Sequence, residues 1–188
     1  FQAGRAPRRM GGFFMLRETI AQAMNRQINA ELYSAYLYLS MSDWCEHEGF
    51  PGFANWLRVQ AREELAHGTH ILDHTLERGA RPRLEAVSAP PETFRDLLDI
   101  FEQTLRHEEQ VTTYIGAIAT LVMKEEDHAT YNFIQWYVNE QVEEESTAGL
   151  LVQKLRFIGE NAAMLYALDT ELAARVFVDP FAAPAVNN

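Results

Sequence analysis

An acidic pair followed by a histidine at helical spacing is the first feature of this sequence that could do chemistry. The stretch EELAH, residues 63–67, lies in a segment whose apolar residues recur every three or four positions from Phe53 to about Leu76. Residues three apart share one face of a helix, so Glu64 and His67 could bind one metal ion. The alternative is that both side chains face water.

The same periodicity defines four long helices, and each carries one glutamate in the middle of an apolar stripe. The stripes are Met24, Ile28, Glu31, Ala35, Tyr38 and Ser42; Phe53, Leu57, Ala61, Glu64, Gly68 and Ile71; Phe101, Leu105, Glu108, Thr112 and Ile115; and Phe133, Tyr137, Gln141, Glu144, Ala148, Leu151 and Leu155. A buried glutamate needs a partner, because desolvating its charge is costly. Two divalent ions would balance four converging carboxylates, whereas a single glutamate at a stripe edge could reach water instead. Oxygen ligands with one imidazole and no thiolate suit iron or manganese better than copper or structural zinc, and iron is the metal we expect.

Glycine and proline mark where these helices begin and end. The breaks predict a first helix over about 17–47, a second up to Gly79, a third that begins within residues 88–92, a fourth over 128–159 and a short apolar fifth segment over 162–178. The connection between the second and third helices, of roughly ten residues, is the longest of the predicted links. The predicted fold is all-α, a four-helix bundle with one long crossover and a short C-terminal fifth helix.

The amino-acid composition limits the possible binding partners and the cellular compartment of the protein. A net charge of −11 argues against nucleic acid and anionic membranes as partners and fits a protein that handles cations. The single cysteine, Cys45, excludes a thiolate metal site and predicts a reducing, cytoplasmic location, and no apolar run is long enough to span a membrane. Residues 1–14 carry three arginines and no acid, which predicts a non-native or flexible extension ahead of Met15, with a basic docking arm as the alternative.

The first helix indicates an oligomer. It is apolar nearly all round between Ala30 and Met41, whereas a helix of a monomeric bundle needs only one apolar stripe. Another subunit is expected to cover its outer face.

Four short stretches resemble a known family. They are NAELYSAY (residues 29–36), REELAH (62–67), His107-Glu108 with Val111-Thr112, and NEQ followed by Glu143-Glu144 (139–144). Together they are similar to the bacterial non-haem ferritins from Met15 to about Val178, with residues 179–188 as a tail. Leu65 stands where bacterioferritins have a haem-ligating methionine, and Thr147 stands where di-iron oxidases have a second histidine, so no haem is expected.

The resemblance implies an iron-storage protein with ferroxidase activity and assigns its site residues. One iron would bind Glu31, Glu64 and His67, and the second Glu64, Glu108 and Glu144, with Glu64 bridging and Glu108 chosen over its neighbour Glu109. Gln141 would contact the oxygen species. Tyr38 would supply an electron, although a hydrogen-bonded core tyrosine is the alternative.

The resemblance also implies a third iron site, a shell and a reaction. Glu63, Glu140 and Glu143 would hold the third iron, against the alternative that these acids are solvated. Fe²⁺ would be oxidised by O₂ or peroxide and stored as ferric mineral inside a homo-oligomeric shell of about 24 subunits. The rival functions are a di-iron oxidase that retains its metals, a storage bundle without a catalytic centre, and a structural helix bundle.

Overall fold

The computed structural model of the chain describes residues 15–182. In this part of the chain there are five α-helices and no strand: α1 (Glu18–His47), α2 (Pro51–Glu77), α3 (Leu97–Lys124), α4 (His128–Ile158) and α5 (Ala162–Leu172). The predicted all-α fold, with four long helices and a short C-terminal one, is confirmed. The prediction for residues 1–14 lies outside the described residues, as do residues 183–188 of the predicted tail. None of the helices described is long and apolar enough to cross a membrane.

The long crossover, residues 78–96, runs along the outside of α1. The side chain of Asn25 accepts a hydrogen bond from the Arg83 amide at 3.0 Å, and further along α1 the hydroxyl of Ser40 donates to the carbonyl of Pro91 at 2.6 Å. These contacts carry the chain from the start of α1 to its far end. α1 and α2 are joined by a tight turn, as are α3 and α4, so the two helices of each pair run antiparallel.

The predicted start of the third helix is wrong, and the crossover is longer than expected. α3 begins at Leu97, where the Asp96 carboxylate accepts a hydrogen bond from the Asp99 amide at 2.7 Å. An aspartate is a strong N-cap, whereas Pro90 and Pro91 disfavour helical geometry in the residues before them. The two prolines therefore extend the crossover instead of opening the helix.

The core consists of two apolar clusters with a polar layer between them. One cluster includes Leu57 and Phe101, and the other includes Ile28 and Ile115. The glutamates of the four stripes lie at the level between these clusters. Apolar packing on both sides therefore keeps the polar layer away from solvent.

The short helix α5 caps the beginning of α2. The Asp169 carboxylate accepts hydrogen bonds from the amides of Gly52 and Phe53 at 2.8 and 3.0 Å, and so satisfies amides that have no partner within α2. A Cβ at Gly52 would lie 1.7 Å from the Asp169 carbonyl oxygen, so only glycine permits this approach. α5 ends at Leu172, short of the predicted boundary at 178, because the Asn55 side chain binds the carbonyls that follow.

Candidate metal centre

One buried glutamate from each long helix enters the polar layer. Glu31, Glu64, Glu108 and Glu144 expose only 2%, 3%, 1% and 7% of their surface. The helical stripes place all four carboxyl groups inside the bundle because each lies one or two turns from apolar residues on the same face. The structure therefore excludes the alternative in which these side chains reach water.

The two acids and the histidine of α1 and α2 form a group with the size of a cation site. Ligand atoms of Glu31, Glu64 and His67 all lie within 4.8 Å of one another. The His67 Nδ1 and the Glu64 Oε2 are 3.8 Å apart, too far for a hydrogen bond and close to the roughly 3–4 Å between two ligands of one ion. Gly68 makes this possible, since even a Cβ there would lie 3.2 Å from the Cβ of Glu31.

The other two glutamates are held by neutral donors. Glu108 accepts hydrogen bonds from the Tyr38 hydroxyl and from the Gln141 amide, the latter at 3.1 Å. Glu144 accepts one from the Gln60 amide at 2.8 Å. No Lys or Arg in the described residues forms a salt bridge with any of the four carboxylates. The charge of the layer is therefore not neutralised by a direct ion pair with a basic side chain.

Burial raises the pKa of every carboxyl in the layer, and repulsion from neighbouring carboxylates adds to the shift of Glu64, Glu108 and Glu144. The pKa of Glu144 is raised to about 8 by burial and by the charge of Glu108, and burial raises the pKa of Glu108 to about 7. Glu64 has a pKa well above its usual range, first because it is buried and then because Glu108 and Glu31 lie near it. Without a cation the layer therefore retains protons at neutral pH, and a cation that binds must displace them.

His67 is prepared to act as a neutral ligand. Burial lowers its pKa to about 4, so the imidazole carries no charge at neutral pH. Its ring lies 5.3 Å from that of Trp136, and its Nε2 has no hydrogen-bond partner among the described residues. A neutral, buried imidazole beside Glu64 fits the donor set of a divalent metal ion.

Comparison with known proteins agrees with this arrangement. Residues 21–158 match the family described as the ferritin-like domain, which is most of the chain. This chain belongs to the ferritin family. A bacterial non-heme ferritin of Escherichia coli O6:H1 is 38% identical over 159 residues, covering 85% of this chain and 96% of the relative. A probable bacterial non-heme ferritin-like protein of Haemophilus influenzae is 37% identical over 158 residues, covering 84% and 96%.

Solved ferritin structures share the fold of this family member along most of its length. A ferritin of Archaeoglobus fulgidus, engineered into a closed form, is 51% identical, with a TM-score of 0.86, and covers 87% of this chain and 99% of its own. An open pore ferritin from the same archaeon is 50% identical, with a TM-score of 0.85, covering 86% and 98%. The resemblance to ferritins seen in the sequence is confirmed.

The residues predicted for the third iron site occupy a different environment from the central four. Glu63 forms an ion pair with Arg175, whose Nη2 lies 2.5 Å from the Glu63 Oε2. Glu140 is half-buried and Glu143 is exposed. Burial, followed by the charges of Glu143 and Glu63, raises the pKa of Glu140, which shows that the three acids are neighbours. Their role as ligands stays a prediction.

Two glutamines of the layer were missed by the sequence analysis. The amide of Gln27 donates to Glu31 at 2.8 Å, and that of Gln60 donates to Glu144. Both are almost fully buried. A signal was present, since each glutamine precedes a stripe glutamate of its own helix by four residues and so lies on the same face.

The remaining polar residues near the layer have structural partners. His70 lies 3.1 Å from the Tyr137 hydroxyl and His74 lies 3.3 Å from the Thr130 hydroxyl, while Glu109 is exposed. Tyr38 is fully buried, and its pKa is raised well above the usual value by burial and by the charge of Glu108. Its hydroxyl therefore stays protonated and donates a hydrogen bond to the Glu108 carboxylate.

Proposed function

We propose that this ferritin family member stores iron and oxidises Fe²⁺ at a dinuclear site inside each subunit. The observation that carries the proposal is the convergence of four buried glutamates, one from each long helix, with His67 beside one of them. Four buried carboxylates that have no basic side chain as a partner are costly to bury unless they bind metal cations. Membership in the ferritin family supports iron as that cation.

The arrangement supports an assignment of ligands. Glu31, Glu64 and His67 would hold one Fe²⁺, because their ligand atoms already form one group. Glu64, Glu108 and Glu144 would hold the second, with Glu64 shared. When the metal binds, Glu108 and Glu144 would lose a proton or the hydrogen bond from a glutamine amide. This half of the site therefore forms as the ion binds.

Anionic oxygen ligands favour oxidation of the bound iron. Carboxylates stabilise Fe³⁺ more than Fe²⁺, because the higher charge gains more from hard oxygen ligands. Each Fe²⁺ gives up one electron. O₂ accepts two electrons and two protons to become H₂O₂, or H₂O₂ accepts two of each to become two waters. Gln141 donates to Glu108 from beside the site, where its amide could contact the oxidant.

Tyr38 is placed to take part in the electron transfer. Its hydroxyl donates to Glu108 and it is fully buried in the core. A phenol in contact with a ligand of the second iron could supply a further electron to the oxidant and pass its proton to Glu108. A packing role alone would leave the same hydrogen bond, so this assignment is secondary to that of the glutamates.

Storage requires a closed assembly, and the outer face of α1 supports one. Tyr36 and Leu39 expose 49% and 46% of their surface in the mostly apolar stretch of α1 between Ala30 and Met41. We propose that another subunit covers this face in a shell of about 24 chains. Oxidised iron would leave the dinuclear site for the cavity, with a third ion at Glu63, Glu140 and Glu143. A free, buried Cys45 fits a cytoplasmic location.

Stepwise aerobic loading with Fe²⁺ tests storage. Purified protein receives Fe²⁺ in small additions, and iron that co-elutes with the oligomer is counted per chain after each addition. We expect iron to accumulate far beyond the few ions that the ligands can hold. Uptake that stopped at about two irons per chain would identify a di-iron oxidase with a retained cofactor instead.

A further inference from the structure

The chain after α5 lies as a strap along α2. This C-terminal strap, residues 173–182, starts beside Asn55, whose side-chain amide lies 2.9 Å from the Arg175 carbonyl and 3.3 Å from that of Ala173. At its other end the ring of Phe181 stacks on His70, with ring centroids 3.6 Å apart, and contacts Trp136 at 4.6 Å. The strap therefore covers the face between α2 and α4 that flanks the metal centre.

Arg175 is the residue of the strap that pairs with Glu63, one of the three acids proposed for the third iron site. Its guanidinium pairs with Glu63 at 2.5 Å and lies over the Trp56 ring at 4.7 Å, and both partners of the ion pair are mostly buried. A fixed cation is therefore already bound to one of the three acids proposed to hold the third ion.

We propose that Arg175 is a built-in counter-cation that occupies the position of the third metal ion and so makes that ion bind last and weakly. The inference rests on the proposed function, because it assumes that Glu63, Glu140 and Glu143 can ligate a cation. A metal ion cannot bind Glu63 while the guanidinium holds its carboxylate. The third ion must therefore displace Arg175, and with it the contacts that hold the strap near Asn55.

Cation binding to Arg175→Gln tests the proposal. Glutamine is shorter than arginine, but it keeps a polar side chain and removes the charge. Co²⁺, which is not oxidised under these conditions, is titrated into the intact oligomer by calorimetry and equilibrium dialysis. We expect two tight ions in wild type and variant alike, and a third ion that R175Q binds roughly tenfold or more tightly than wild type, since a charge-assisted pair no longer competes. Equal affinity of both proteins for the third ion would overturn the proposal.

Two further variants separate this result from a general loss of charge. Arg156→Gln removes a similar ion pair, with Glu102 at 2.7 Å, far along α4, and should leave all three affinities unchanged. Glu63→Gln combined with R175Q should abolish the gained third ion. If the third ion tightened equally in R156Q, or persisted without Glu63, the assignment to Arg175 would be wrong.

Hydrogen exchange gives a readout that does not depend on activity. Saturating the third position with Co²⁺ should increase amide exchange in residues 174–177 of wild type, because displaced Arg175 releases that part of the strap. In R175Q the strap should already exchange fast, with little further change. Unchanged exchange in wild type at saturation would contradict the proposal, while a wild-type protein that bound no Co²⁺ tightly would overturn the proposed function as well.

Discussion

Replacing Glu64 by glutamine is expected to slow aerobic Fe²⁺ oxidation by about a hundredfold or more, because the substitution removes the carboxylate that we propose both iron ions share. Glu64 is 3% exposed, and its ligand atom lies within 4.8 Å of those of Glu31 and His67. The amide keeps the shape of the side chain. The loss should therefore appear in the initial rate of Fe³⁺ formation, measured by absorbance, and not in folding.

The stability of the same variant distinguishes a ligand from a packing residue. Without metal, E64Q should melt at a temperature equal to or above that of wild type, because a neutral amide replaces a buried carboxyl whose ionised form Glu108 and Glu31 would repel. Glu109→Gln is the matched control, since Glu109 is exposed beside Glu108 and should change neither rate nor melting. Normal oxidation by E64Q would remove Glu64 from the site.

The free energy of unfolding of metal-free protein is expected to fall by about 1 kcal/mol between pH 7.5 and pH 8.5. Glu108 and Glu144 have pKa values of about 7 and about 8 in the folded protein against 4.5 for the free side chain. The folded state thus binds more protons than the unfolded state in this range. Stability from these groups is fully present below pH 4.5 and is lost as the pH rises through 7 and 8.

Buried histidines change the free energy of unfolding in the opposite direction, and they do so at lower pH. Burial lowers the pKa of His67, His74 and His107 to about 4, so their contribution is lost as the pH falls from 6.5 towards 4. In the unfolded state each of these histidines is half protonated at pH 6.5, so its contribution changes until about one pH unit higher. Between pH 7.5 and pH 8.5 the three are neutral in both states, and the carboxyl effect dominates there.

Urea unfolding with a chelator, at one protein concentration, measures this loss. Adding Co²⁺ should reverse the trend, because an ion that displaces protons binds more tightly as the pH rises, and an excess of 100 times Kd stabilises by about 2.7 kcal/mol per site. Glu144→Gln should remove more than half of the pH dependence in the metal-free protein. A free energy that did not change from pH 7.5 to 8.5 would mean that the layer is ionised without metal.

The four stripes could be read from the sequence because helical periodicity fixes which residues share a face. Glu64 and His67 follow from their three-residue spacing, and the layer of glutamates follows from counting one acid in each stripe. The start of α3 was misplaced because a local rule, proline in a first turn, competed with a stronger local signal, the cap at Asp96.

Contacts between distant parts of the chain could not be read in this way. Arg175 meets Glu63 only because Asn55 and Asp169 fix α5 and the strap against α2, and no pattern within either segment predicts that pairing. The partner of Glu144, Gln60, is likewise contributed by another helix. Local spacing predicts which residues share a face, whereas tertiary packing decides which faces meet.

The most direct test of the dinuclear site is to locate its ions. Crystals loaded anaerobically with Fe²⁺ would be measured on both sides of the iron absorption edge, so that anomalous difference maps show iron alone. The proposed function predicts two iron peaks within the polar layer of each subunit, both in contact with the Glu64 carboxylate, one beside His67 and the other beside Glu108 and Glu144. A single iron, or iron bound only outside the layer, would contradict the proposed function.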